Sequence, residues 1–520
     1  MRMRGLVAAV LVALTVTEAQ ADVSISSKPT QNMNCSDAVC IATNKNANLS
    51  VSDLTAMLAS GDLTIKTGGG ASTIQVMDTF SWTSTSRLTL DAERSVGIHK
   101  PVVVAGTGAL TIATNDGGSD GDLLFFGGGK IIFWDLASIL KINGQAYKLV
   151  NTLRSLAHAV YADRYGAVAL SETIDASKEG VFERPAVGIP FHGVFEGLGN
   201  SIKNFALSNK KTCDRKSLGL FKDATDGMLR DLRLPNAKLS IYAGPHTCTA
   251  GILVGEGGYL ENIQVTGAVA LYGRAGCVGG VAGSAVEIDD STMAGEISSS
   301  AEASGLGGLA CSAYAINNSH STANISGNSG SSVAGLVGGG RVVGSYATGN
   351  VTGGFAAGLV LSSQYVDTSF ATGAVTSSGT AAGLVAALGL HGQLSNSYAL
   401  GAVKGGVGYA GGLLGTVDST AQVTESYSTG SVKMKGKKFD GGFVGYVSAD
   451  VRVFSDDYWD IGTSGTDVPC GSLSRGCTSI LGLADAQLKS GLPEGFDPGI
   501  WGESPDVNNG YPYLLANPPQ

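Results

Sequence analysis

One short phrase, varied but never lost, recurs through the middle of this chain. Aligned on the glycine before an apolar pair, it returns at Gly251, Gly280, Gly308, Gly335, Gly358, Gly383, Gly412 and Gly442, with spacings of 29, 28, 27, 23, 25, 29 and 30 residues. A second phrase follows each of the first seven anchors, as in Thr266-Gly267-Ala268-Val269, Thr348-Gly349-Asn350-Val351 and Thr372-Gly373-Ala374-Val375. A period in this range marks a solenoid. The phrases are short, β-branched and bounded by glycine, so each unit is built of strands. A lone coil cannot bury its apolar face, so stacking must do so. Leu336, Leu359, Leu384 and Leu413 hold one place in their phrases and are expected to form a continuous internal row. The anchor glycines suit either turns of positive φ or close packing between coils.

A related grammar appears earlier. Leu63-Thr64-Ile65, Leu88-Thr89-Leu90 and Leu110-Thr111-Ile112 repeat one triplet, with apolar doublets such as Ile74/Val76 and Val102/Val104 between them. Alternation turns the apolar pair to one face and Thr to the other. About sixteen coils between residues 60 and 460 would make a rod of roughly 75 Å at ~4.8 Å per coil. Residues 151–163 break the pattern: Leu153, Leu156, Ala157, Val160 and Tyr161 fall at helical spacing behind a cap at Asn151 or Thr152, predicting a helix on the solenoid flank. A short helical stretch is expected near residues 484–489.

Composition fits. The 520 residues include 76 glycines, about twice the usual share of ~7%, while 43% are hydrophobic. The net charge of −9 argues against a nucleic-acid partner held by phosphate neutralisation. The basic run Lys433, Lys435, Lys437 and Lys438 reads as a solvated loop. Residues 1–21 read as a secretory signal peptide: Arg2 and Arg4 precede an apolar stretch too short to span a bilayer, then Ala19-Gln20-Ala21 as a cleavage pattern. No later run is long enough for a membrane helix. In an exported chain the eight cysteines favour disulfides. Local pairs, Cys35 with Cys40 and Cys470 with Cys477, and coil-spaced pairs, Cys213 with Cys248 and Cys277 with Cys311, are the natural candidates. No closely set Cys or His pairs suggest zinc.

Four regions segregate within the mature chain: a leader or cap at 22–48, coils at 49–150, a helix-containing insertion at 151–190, and the main repeats at 191–460. A cap and tail follow at 461–520.

The repeats resemble the GLUG motif, named for Gly-Leu-x-Gly, of filamentous-haemagglutinin-like bacterial surface proteins. The match is best from Ala334-Gly335-Leu336-Val337-Gly338 through Gly344-Ser345-Tyr346-Ala347-Thr348-Gly349-Asn350-Val351, with parallels at Ser369-Phe370-Ala371, Ser397-Tyr398-Ala399 and Ser426-Tyr427-Ser428. Ile142-Asn143-Gly144-Gln145 and Phe195-Glu196-Gly197-Leu198 also look like segments of such proteins. The resemblance implies an all-β, right-handed parallel β-helix with end caps and a secreted or cell-surface role, commonly adhesion, toward a host or cell-surface glycan or protein. It departs in showing neither a two-partner secretion domain nor a β-barrel translocator, so a periplasmic location stays open. The recurrent aromatic after Ser (Tyr346, Phe370, Tyr398, Tyr427) reads as a stacked ladder in the core, with an outer glycan-binding stripe as the other reading.

Chemistry is sparse. The best acidic groups are Glu287, Asp289 and Asp290, then Asp456, Asp457 and Asp460, all expected in solvated turns. Six scattered histidines form no His-x-x-x-His pair, and the glycine phrases belong to the repeat and not to a phosphate loop. Asn115, Asp116, Asp120 and Asp122 could ligate calcium, though not as an EF-hand. The expectation is a non-catalytic protein without a cofactor. A carbohydrate-active enzyme on the same scaffold and a periplasmic or envelope scaffold binding another protein are the alternatives.

Overall fold

The computed structural model describes residues 22–209, 212–301, 303–435, 439–448, 454–471 and 475–519. The expected signal segment and Lys437 and Lys438 lie outside the described residues. The expected solenoid forms: parallel coils stack into a β-helix of about 15 turns. Its clearest sheet has nine strands in strict chain order, one from each successive coil, from Ser217–Leu218 through Ser332–Ala334 and Ala381–Ala382 to Asp440–Gly441.

In the first block the repeated triplets stack in register: Leu63 against Leu88, Leu88 against Leu110, and Leu110 against Leu140. Their aliphatic side chains form one cluster, which takes in Val23, Leu49, Leu90, Val104 and Phe133. The start of this block is closed by its own residues. Strand Asp22–Ser26 lies between Ala47–Ser50 and Thr73–Val76, and helix α1 (Val51–Ser60) buries Leu54 and Leu58 against the coils. The helix follows an N-cap at Ser50, whose hydroxyl accepts from the Ser52 amide. It was not expected from the sequence, since only two core-facing leucines stand out in a Ser- and Thr-rich stretch.

At Asn143-Gly144 the chain turns back on itself. Both residues have positive φ (48° and 80°), the pattern of a tight hairpin turn, and Ile139–Ile142 pairs antiparallel with Gln145–Val150. The coils on either side are parallel among themselves, so strand direction reverses here. Helix α2 (Leu153–Ala162) follows where helical spacing predicts it, with Thr152 and Ser155 forming a capping box and Leu153, Leu156 and Val160 buried.

The second block carries its own core, running from Val150 to Ile480. Leu336, Leu359, Leu384 and Leu413 are fully buried in it, and their amides and carbonyls link coil to coil at 2.9 Å. The anchor glycines serve close packing and not positive φ: a Cβ on Gly335, Gly358 or Gly383 would overlap the carbonyl oxygen of Gly358, Gly383 or Gly412 respectively. Buried serines add a polar column at one corner. The amides of Ser291, Ser319, Ser345, Ser369 and Ser397 each donate to the hydroxyl of the serine one coil on, at 2.9–3.2 Å. Each hydroxyl in turn donates to the carbonyl two residues back, as Ser369 does to Asp367 at 2.7 Å. The corner turns at the residue before each serine, where Asp290, Asn318, Thr368 and Asn396 all have φ of 47°.

Four disulfides are formed: Cys35–Cys40, Cys213–Cys248, Cys277–Cys311 and Cys470–Cys477. The second and third are 35 and 34 residues apart and so tie neighbouring coils. Covalent pairing of every cysteine fits an oxidising compartment. No helix among the described residues is long and apolar enough to cross a membrane.

Candidate functional site

Side chains that leave the core at the same place on successive coils form columns along the outside. One column is charged. Glu196, Arg230, Glu261, Asp289 and Asn317 stand in direct register, each beside the next. Each follows a core residue: Phe195, Leu229, Leu260, Ile288 and Ile316 are all buried. Strand alternation therefore sends the polar neighbour outward.

The inner end of the column is a closed ionic cluster. Arg230 lies 3.0 Å from Asp231, 3.4 Å from Glu196, 2.8 Å from Asp122 and 3.7 Å from Glu261. Asn262 donates to Asp231 at 2.7 Å, and the Leu198 amide donates to Glu196 at 2.9 Å. Burial pushes the carboxyl of Glu196 well above the usual range, and the neighbouring Asp231 adds to the rise. Burial also raises Asp231, against the pull of Arg230. Burial disfavours the guanidinium, but the four acids together hold Arg230 charged. Arg230 reaches across to the first block through Asp122, and Arg233 donates to the Gly127 carbonyl at 2.7 Å. The cluster thus joins the two blocks. Glu196 and Asp231 are only 1% and 3% exposed, so they meet no substrate.

Toward Asp289 the column opens. Burial pushes Glu261 up to about 7, with Arg230 opposing, and Asp289 up to about 6, with Asn317 opposing through its 2.7 Å hydrogen bond. Asn317 also donates to Glu287 at 2.9 Å. Two half-buried carboxyls one coil apart, titrating near neutrality, can in principle hold and release a proton. Of the acids singled out in the sequence, the structure thus brings Glu287 and Asp289 together, with Asp290 at the adjoining corner.

Asp456, Asp457 and Asp460 are not a solvated cluster. Asp456 is exposed, but Asp457 and Asp460 are fully buried. Asp457 ends the serine column, accepting from the Ser426 amide at 3.1 Å, and burial holds its carboxyl protonated-side, well above the usual range. Asp460 caps the short helix Ile461–Ser464. Both are structural: Asp457 answers a buried backbone amide that would otherwise be unpaired, and Asp460 answers the Gly462 and Thr463 amides at the helix start. The calcium candidates are also divided among other partners: Asn115 brackets Gly121, Asp116 faces Lys66, Asp120 accepts from Ser119, and Asp122 pairs with Arg230. No group of three His, Cys, Asp or Glu among the described residues is placed to hold a metal.

The aromatic ladder stacks, but outside the solenoid core. His320, Tyr346, Phe370, Tyr398 and Tyr427 follow one another with ring centroids 4.5, 4.7, 4.8 and 5.1 Å apart and planes within 8°. Core places go instead to the next residues, Ala347, Ala371 and Ala399. Phe370, Tyr398 and Tyr427 are buried because the tail folds back over them, while His320 and Tyr346 stay half-buried at the ladder's end: Leu488, Phe496, Trp501, Tyr511 and Leu514 join Phe370, Tyr398, Tyr427 and Tyr458 in a separate cluster. Polar contacts pin this roof. Trp501 donates to Asn396 at 3.2 Å, Tyr427 to the Pro512 carbonyl, Tyr458 to the Glu494 carbonyl at 2.7 Å, and Asn517 to the Gly344 carbonyl at 2.6 Å. The covered rings, Phe370, Tyr398 and Tyr427, are not an outer glycan-binding stripe.

Exposed aromatics lie elsewhere. Tyr314, 81% exposed, borders a groove of about 540 Å³ that Arg341, Gln364 and Tyr365 also line. The Arg341 guanidinium sits 4.5 Å from the centre of the Tyr365 ring. Register connects the groove to the charged column's neighbour, for Tyr259, Glu287, Ala315 and Arg341 stand in line. The sequence reading missed Glu196, Arg230, Asp231 and Glu261, and the groove. The missed signal was a third phrase, apolar–polar–corner, in Leu229-Arg230-Asp231, Leu260-Glu261-Asn262, Ile288-Asp289-Asp290 and Ile316-Asn317-Asn318.

No family model and no curated protein matches the chain. Among solved structures it is similar to a candidate immunoglobulin A1 protease from Bacteroides ovatus, at 16% identity over 72% of this chain and 93% of that one, with a TM-score of 0.27. A likeness at that score carries no argument about this chain.

Proposed function

We propose that this is a non-catalytic, exported β-helix protein of the cell surface or its surroundings, adhesin-like or surface-structural, of the GLUG-repeat kind that its phrases resemble. The observation that carries the reading is the strict coil-by-coil order of the nine-stranded sheet. It makes a long rigid rod whose conserved-geometry interior leaves the flanks free to vary. The paired cysteines, the tail that roofs its own aromatic ladder, and an outward groove with Tyr314 and Arg341 support it. Its partner on this reading is a host or cell-surface glycan or protein. Fractionating the native cells and probing intact cells with antibody tests it. Labelling of intact cells supports display; protein released only with the periplasm favours an envelope scaffold that binds another protein.

A second reading is a carbohydrate-active enzyme, favoured by one observation, the in-register pair Glu261 and Asp289 with raised carboxyls. Two carboxyl groups are what glycoside hydrolysis requires. A polysaccharide panel assayed for new reducing ends or unsaturated products decides it: turnover that Asp289→Asn abolishes would replace the non-catalytic reading.

A further inference from the structure

We infer that the groove between Tyr314 and Arg341 binds a saccharide bearing a carboxylate, such as a uronic acid within a polysaccharide. The inference rests on the adhesive form of the proposed function and names its ligand class. Three features carry it. First, the groove is built on backbone. Gly340 and Gly389 line it without side chains, and a Cβ at Gly340, whose φ is +141°, would overlap the Ala313 carbonyl oxygen. The floor of the depression is therefore backbone, with walls from the side chains of Tyr314, Arg341, Gln364 and Tyr365.

Second, the polar groups are placed and unspent. Among the described residues no carboxylate pairs with Arg341, whose guanidinium instead lies over the Tyr365 ring. That contact stacks the guanidinium on the ring while leaving N–H donors for a bidentate anion. A carboxylate is the group that matches it. Ser363 does not compete for the ligand, because it is buried and bonded to the Gly340 and Tyr365 backbone at 2.7 and 3.0 Å. Gln364 is exposed at the groove and supplies both an amide donor and an acceptor for sugar hydroxyls.

Third, Tyr314 offers an aromatic ring to solvent at 81% exposure on a rigid strand. A pyranose has an apolar face of C–H groups that packs on such a ring, and the phenol adds a hydrogen-bonding edge. A flat apolar platform beside a cation fits an acidic sugar better than a neutral one. The chain's net charge of −9 works against indiscriminate capture of polyanions, so affinity for one must come from a local site.

The test uses the full exported chain, with hyaluronate and alginate as acidic probes and dextran as the neutral control, by titration calorimetry and by retention on the immobilised polysaccharides. Arg341→Gln is expected to weaken acidic-probe binding by at least about tenfold, equivalent to ~1.4 kcal/mol. Arg341→Lys should fall between wild type and Arg341→Gln, and Tyr314→Ala should also weaken binding. Arg154→Gln, an exposed arginine on α2, should leave it unchanged. Thermal unfolding by circular dichroism confirms that each variant is folded, and at these exposed positions little shift is expected. The inference is overturned if neither acidic probe binds, if dextran binds as well as they do, or if Arg341→Gln and Arg154→Gln behave alike. Antibody labelling of intact cells is independent of all these measurements, so a displayed rod that ignores acidic saccharides would sink this inference alone.

Discussion

The two β-helical blocks solve one problem in different ways. Coils of the first block, before the Asn143-Gly144 hairpin, stack through aliphatic columns such as Leu63, Leu88, Leu110 and Leu140, with caps at the start from Asp22–Ser26 and α1. Coils of the second block add a serine column inside the corner and an aromatic ladder outside, while both blocks use glycines that let carbonyl and Cα meet, as Gly129 meets the Ile98 carbonyl in the first. The first is held by side-chain volume, which tolerates modest exchange. The second is held by specific atoms at specific places, which does not.

The largest effect is expected at glycine, where the two blocks should behave alike. Gly383→Ala drives a Cβ into the Gly412 carbonyl and Gly129→Ala drives one into the Ile98 carbonyl, whereas nothing lies within 4 Å of a Cβ on the neighbouring Gly128. The first two are expected to cost more than about 4 kcal/mol each and Gly128→Ala to stay within about 0.5 kcal/mol, by urea denaturation. A loss at Gly383 without one at Gly129 would confine close backbone packing to the second block.

Next comes the roof, a feature of the second block alone. Trp501→Ala should cost about 3 kcal/mol, as for other buried aromatic truncations, and should expose Phe370 and Tyr398 to a hydrophobic dye. An unchanged melting curve would mean that the ladder stands without its cover.

A smaller effect is expected in the polar column. Ser397→Ala leaves the buried Ser369 amide without its acceptor and should cost about 1–3 kcal/mol. Thr89→Ala, at an outward rung of the first block, should cost well under that. Equal losses would make the serines mere filler.

The smallest effect concerns pH. Asp289 has its carboxyl raised by burial to about 6 from 3.8. In the folded chain it therefore keeps its proton longer than in the unfolded chain, so stability contributed by the protonated form is present below about pH 4 and is lost as pH rises through 6. Asp289→Asn should flatten the stability profile across that window. A carboxyl titration by NMR centred near the ordinary value would refute the shift.

Much of this architecture was legible in sequence. The anchors Gly335, Gly358 and Gly383 and the triplets at Leu63, Leu88 and Leu110 declared the coil and its register, because every repeat solves the same local packing problem. Helix α2 was legible from its spacing and cap. Four features were not, the first being helix α1, whose Ser- and Thr-rich stretch shows only two core-facing leucines. The hairpin at Asn143-Gly144 was an ordinary turn signal hidden inside a phrase that resembled a repeat. The Arg230 cluster depends on which coil neighbours which, since Asp122 and Arg230 lie 108 positions apart. The roof depends on the tail's return path: Asn517 reaches Gly344 across 173 positions. The last two are long-range pairings that no local pattern encodes.

That return path makes the tail a ruler. From the Tyr458 end to Gly344 it spans a set number of rungs, and each polar pin is cut to one of them: Glu494 for Tyr458, Pro512 for Tyr427, Trp501 for Asn396, Asn517 for Gly344. Upstream of residue 344 the coils lie beyond the reach of these pins and are tied instead by the Arg230 cluster and two disulfides. Between Gly344 and Tyr458, gaining or losing a coil would put at least one pin out of step, so the distal end of the rod is gauged.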